Sequence, residues 1–151
     1  MRFLVLLGVV AACVAGAALA QDAAPDSVVR FHPEWVQRPS GADYARNYPR
    51  RAIEAGVSGH AELCCTVRDD RRLDCRVASE IPQGGGFGRA AVLVARSFKM
   101  SDASYVEARN RQIDLVPIPI TFIAGSASSQ FQDEIARVHA AASCVSGAAT
   151  E

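Results

Sequence analysis

The most reactive side chains of this 151-residue sequence are its five cysteines and three histidines, and their spacing sorts the chemistry open to them. Cys13 lies in an apolar N-terminal stretch, whereas Cys64, Cys65, Cys75 and Cys144 lie in the body of the chain. A cysteine nucleophile needs a base within hydrogen-bond reach to become a thiolate. His60 precedes Cys64 by four residues, and on an extended strand that spacing separates them by about 13 Å, which excludes a direct dyad. His32, His60 and His139 are far apart in sequence, with no pair at ligand spacing on one helix, and so predict surface or loop positions rather than a metal site. Gly86-x-Gly88-x-x-Ala91 matches the letters of a dinucleotide fingerprint, but that fingerprint works only in a parallel βαβ unit. A Gly-x-Ser-x-Gly nucleophile elbow is missing from the sequence. These residues assign no catalytic group, metal or cofactor, and the chain reads as a non-enzyme.

The cysteines belong to a hairpin. Ala61, Leu63, Cys65 and Val67 alternate with His60, Glu62, Cys64, Thr66 and Arg68, while Leu73, Cys75 and Val77 alternate with Asp74, Arg76 and Ala78. The run Arg68-Asp69-Asp70-Arg71-Arg72 supplies a turn that reads as solvated and mixed in charge. Centring the pairing on Asp70 places Cys65 opposite Cys75 on the apolar face, within reach of a cross-strand disulfide. A one-residue slip would break both alternations. Four cysteines allow three connectivities, and face assignment favours Cys65 with Cys75, leaving Cys64 and Cys144 as the second candidate pair. The short loop closed by Cys65 and Cys75 would contribute about 2–3 kcal/mol.

Disulfides imply export, and the N-terminus agrees. Arg2, an apolar run from Phe3 to about Leu19, and Ala18-Leu19-Ala20 before Gln21 have the form of a cleavable secretory signal. Val10-Ala11-Ala12-Cys13 offers lipidation at Cys13 as the alternative, which would anchor the product. The equal numbers of acidic and basic side chains give no electrostatic footprint for nucleic acid or for anionic lipid.

The remaining segments fill in an α+β domain. Residues 21–40 form a leader whose Phe31, His32 and Trp35 dock on the domain at 41–124. Asn47 is positioned to cap a short helix with Pro49 in its first turn and Gly56 as terminator. After Gly84-Gly85-Gly86, a helix from about Phe87 to Met100 carries Phe87, Ala91, Val94, Ala95 and Phe98 on one face. A third strand is expected within Gln112–Ile123, with Val116, Ile118, Ile120 and Phe122 on one side. Pro117 and Pro119 make it an edge strand, because the donors they lack would both have pointed to the open side. A tail at 125–151 carries an amphipathic helix with Phe131, Ile135, Val138 and Ala142 on one stripe and Cys144 just past its end. The expected order helix, strand, strand, helix, strand gives a three-stranded antiparallel sheet with helices packed on one face, plus an extra C-terminal helix.

Tyr48-Pro49, Gly56-Val57-Ser58-Gly59, the hairpin, Phe87-Gly88-Arg89-Ala90-Ala91 and Ile118-Pro119-Ile120-Thr121-Phe122 occur in an order that resembles the TonB C-terminal domain family over about residues 44–123. The resemblance implies a periplasmic module of a Gram-negative envelope that engages TonB-dependent outer-membrane transporters. It further implies partner binding by strand addition along Val116, Pro117, Ile118, Pro119, Ile120, Thr121 and Phe122. The same edge would serve another envelope protein or a homodimer. The chain departs from the family in showing neither an uncleaved inner-membrane helix nor a long Pro-rich linker, and Pro117 is an additional proline. A structural or assembly protein of the envelope, its sheet capped by its own C-terminal helix, is the alternative.

Overall fold

The computed structural model describes residues 31–141 and Cys144, so the expected export signal at 1–20, the expected cleavage after Ala20 and the alternative lipidation at Cys13 lie outside the described residues. The alternating segments form β2 (Gly59–Val67) and β3 (Leu73–Ile81), preceded by β1 (Trp35–Gln37), α1 (Gly41–Asn47) and α2 (Arg50–Glu54). Cys65 pairs with Cys75 in the antiparallel register. The register then shifts between Glu62 and Leu63, because Ala78 bulges out of β3 and turns Ser79 to the same face as Glu62.

The turn between the strands is fastened rather than freely solvated. Arg71 adopts a positive φ of 65°, its side chain meets Asp102 at 3.0 Å, and Arg72 donates to the carbonyl of Arg96 at 3.1 Å. The Tyr105 hydroxyl donates to Asp69 at 3.0 Å. The hairpin tip thereby locks onto the segment holding β4 (Lys99–Met100) and α4 (Asp102–Asn110).

Helix α3 (Phe87–Ala95) follows the glycine loop and buries Phe87, Ala90, Ala91, Val94 and Ala95 against the hairpin. Its N-cap, Gly86, is left-handed at φ 80° and carries no capping side chain. Glu80 does that work from β3, accepting from the amides of Gly84 and Gly88. The glycine motif is therefore a packing device, with a strand carboxylate already occupying the position a phosphate would take. The helix is shorter than its apolar period suggests. Phe98 is needed off the helix, where its ring meets Trp35 edge-on at 4.8 Å, and the chain then pairs β4 with β1.

Strand β5 (Val116–Phe122) pairs antiparallel with β2, which gives an α+β fold with a three-stranded sheet in the order β3-β2-β5. Its even-numbered side chains join the core with Leu63, Cys65, Met100 and the buried face of α3. One correction concerns a helix start. Asn47 ends α1 instead of capping its successor; Ser40 caps α1 in a reciprocal box with Asp43, and Pro49 stands at the N-cap of α2. Helix α5 (Ser129–Ala141), started by the Ser128 hydroxyl, lies on the sheet face opposite α3, as its ties to Glu62 and Cys64 require.

The inner face depends on one close approach. A Cβ on Gly59 would sit 2.2 Å from the ring of Phe87. That ring cannot retreat, because Tyr48 and Phe122 hold it at centroid distances of 5.9 and 5.7 Å. Gly59→Ala is expected to destabilise the domain by about 1–3 kcal/mol in denaturant titration, whereas Gly41→Ala, with nothing within 4 Å, serves as a control of little effect.

Candidate functional site

Two surfaces combine the residues with binding or chemical capacity: the free edge of β5 and the sheet face beneath α5. Strand β5 ends the sheet on one side. An antiparallel strand points the backbone groups of alternate residues to each side, and proline has no donor to give. The ladder from β5 to β2 therefore runs through Val116, Ile118, Ile120 and Phe122, which are all buried. The nitrogens of Pro117 and Pro119 face the free edge, which offers their carbonyls and, at Thr121, both a donor and an acceptor.

The face beneath α5 is polar and enclosed. His60, Glu62 and Cys64, one strand-step apart on β2, are each 1% exposed. Opposite them on β5 stand Thr121, Pro119 and Pro117 in turn. Glu62 Oε1 accepts from His60 Nε2 at 2.9 Å and from His139 Nδ1 of α5 at 2.8 Å. An ionised carboxylate only accepts, so both of those ring nitrogens carry hydrogen. The Thr121 hydroxyl lies 2.8 Å from the other nitrogen of His60 and donates to it when the imidazole is neutral. Glu62 Oε2 and the hydroxyl of Ser79, its cross-strand neighbour, are buried without a partner among the described residues.

Burial works to raise the Glu62 pKa, but the bonds from His60 and His139 outweigh it and hold the carboxyl below its ordinary value. Each charge-assisted bond is worth about 1.5–3 kcal/mol and an orphaned polar atom costs about 1–3 kcal/mol, so two bonds carry one unmet oxygen.

The cysteines close this arrangement. Cys64 joins Cys144 with a Cα separation of 5.5 Å, fixing the end of α5 to β2, while Cys65 joins Cys75 across the hairpin on the other face. Cys64 is thus no free nucleophile, and the ring nitrogens of His60 are taken up by Glu62 and Thr121. The expectation of surface or loop histidines is corrected at His60, a buried residue of the outer face, whereas His139 is exposed on α5 yet meets the same carboxylate. His32 is exposed. Among the described residues no group of three or more His, Cys, Asp or Glu side chains is arranged to hold a metal ion.

The chain matches no family model and no curated protein. Sequence reasoning did not find Glu62 or His139. The available signal was the pair His60 and Glu62 on one face of a strand, together with a histidine on a later amphipathic helix.

Acid should test the cluster. A carboxyl whose folded pKa is depressed contributes stability above its unfolded value, here about 4.5, and loses that contribution as pH falls through the lower folded value. Thermal melts at pH 7 and pH 3 should show a larger loss for the native chain than for Glu62→Gln, which lacks the titrating group.

Proposed function

We propose that the protein is an exported, non-enzymatic binding module of TonB C-terminal type, which engages a TonB-dependent transporter or another envelope protein in the periplasm. The observation that carries this reading is the edge position of β5, an apolar-backed strand whose Pro117, Pro119 and Thr121 carbonyls face away from β2 and meet no other strand among the described residues. Two disulfides are compatible with export, and among the described residues no helix is long and apolar enough to cross a membrane. A module of this kind would bind without transmitting force. The enclosure of His60 and Glu62 supports a binding role over catalysis, because a substrate has no route to them while α5 is in place.

A second reading, a structural protein of the envelope with a self-capped sheet, is favoured by one observation: α5 is bonded covalently over the outer face of the sheet. The two readings separate by strand addition. Restoring donors with Pro117→Ala and Pro119→Ala should strengthen capture of an outer-membrane transporter, about fivefold per donor, since each backbone bond is worth about 1 kcal/mol. Capture is read by pull-down from outer-membrane extracts. No transporter recovered by the native chain or by either variant would reject the strand-addition reading. Deleting residues 126–151 gives an independent measure: greater capture supports a binding module with a cap, and loss of the fold supports a structural tail.

A further inference from the structure

Helix α5 covers the outer face without burying itself. None of its side chains is fully buried, and Phe131, Ile135 and Val138 are covered in large part but not completely. Among the described residues its polar and covalent attachments to the sheet include the His139–Glu62 hydrogen bond and, just past its end, the Cys64–Cys144 disulfide. The surface beneath is unlike a hydrophobic core. His60 and Glu62 are buried there, and Glu62 Oε2 and Ser79 Oγ have no partner among the described residues. Uncovering an apolar face costs free energy over its whole area, whereas uncovering unmet polar atoms gives them water. The covalent bond therefore carries a large share of holding α5 in place, beside its partly covered apolar stripe and the His139–Glu62 bond.

We infer that Cys144 is the attack site for a protein dithiol of the Cys-x-x-Cys class, and that exchange at this sulfur releases α5 and exposes the His60–Glu62 face beside the β5 edge. Of the two bonded sulfurs, Cys144 belongs to a half-buried residue and Cys64 to one 1% exposed, so access selects Cys144. A reductant thiolate attacks Cys144 Sγ, the Cys64–Cys144 bond breaks, and Cys64 leaves with the electron pair and takes a proton from water. The second thiol of the reductant then displaces Cys144, which is protonated in turn. The dithiol is oxidised to its disulfide by two electrons, and the Cys64–Cys144 pair is reduced to two thiols. Reoxidation by the reverse sequence closes the strap.

The other disulfide answers differently. Cys65 and Cys75 are 10 residues apart in a hairpin whose backbone ladder holds them opposite each other, so reduction frees no element and the bond closes again readily. Cys64 and Cys144 are separated by 80 residues, and no strand ladder among the described residues holds them together.

The test is a graded dithiothreitol titration of the exported chain, with alkylation mapped by mass spectrometry and hydrogen exchange followed by peptide. Cys64 and Cys144 should be labelled before Cys65 and Cys75, and the amides of α5 should lose protection by about tenfold or more while those of β2 and β3 keep theirs. Cys144→Ser should show the same loss in α5 without reductant. A thioredoxin-type dithiol protein whose second active-site cysteine is serine should be trapped on Cys144. Prior reduction of Cys65–Cys75, trapping at another cysteine, or unchanged protection of α5 in both the reduced and Cys144→Ser chains overturns the inference. So does loss of protection in β2 and β3 together with α5, which makes the bond a requirement of the whole domain.

Discussion

The burial of β2 on both faces is the constraint on which the rest of the structure depends. From Gly59 to Cys65 every residue of this strand is buried, so each neighbour must be compatible with it on one side or the other. On the inner side the demand is for volume: Gly59 has no side chain so that Phe87 can reach the backbone, and Ala61, Leu63 and Cys65 meet α3 and the even-numbered residues of β5. On the outer side the demand is for partners. A buried carboxylate, an imidazole and a sulfur need hydrogen bonds or a covalent mate, and α5 brings His139 and leads to Cys144.

The two faces are secured by different kinds of interaction. The inner layer is held by apolar area and by a ring cluster of Tyr44, Tyr48, Phe87 and Phe122, all packed edge-on or tilted. The outer layer has little apolar burial of its own, since α5 hides no side chain completely. In the chain-entropy account, a disulfide closing a loop of this length restricts the unfolded chain by about 4–5 kcal/mol, more than the His139–Glu62 bond supplies. Adjacent cysteines on one strand thus serve both layers, because alternation sends Cys64 and Cys65 to opposite faces.

What was legible in the sequence follows from how far each determinant reaches along it. The β2–β3 register could be read because both alternation and the Cys65–Cys75 pairing are local, and the edge position of β5 could be read because two prolines strip the same side of two donors that an interior strand would need. Helix α4 was invisible to periodicity: it buries only Ser104 and Ala108, leaving the Ser101 cap with Asp102 in the first turn as its sole signals. The pairing of β1 with β4 involves three residues and two residues, too few to show any period. The outer-face cluster joins residues 77 positions apart, and on a lone strand His60 and Glu62 have the same pattern as a solvated polar face. Charge identity on a strand shows which face is polar, but not whether a distant helix will cover it.

The two edges of the sheet differ in what they would offer another strand. On the β3 side the Ala78 bulge interrupts regular pairing, which discourages indiscriminate strand addition. On the β5 side the prolines remove two donors and leave the carbonyls of the same residues in place. A strand docking there would have to bring N–H groups to the carbonyls of Pro117 and Pro119 and would find its own carbonyls unmatched until it reached Thr121. Such an edge rejects most extended segments without being closed, because each unmatched carbonyl on the partner must reach water or a side chain. Thr121 bears both functions: its backbone faces the edge, and its hydroxyl holds His60 within the covered face. The strand edge and the buried cluster therefore share a residue, and the state of the face beneath α5 bears directly on the one position of β5 that can pair in full.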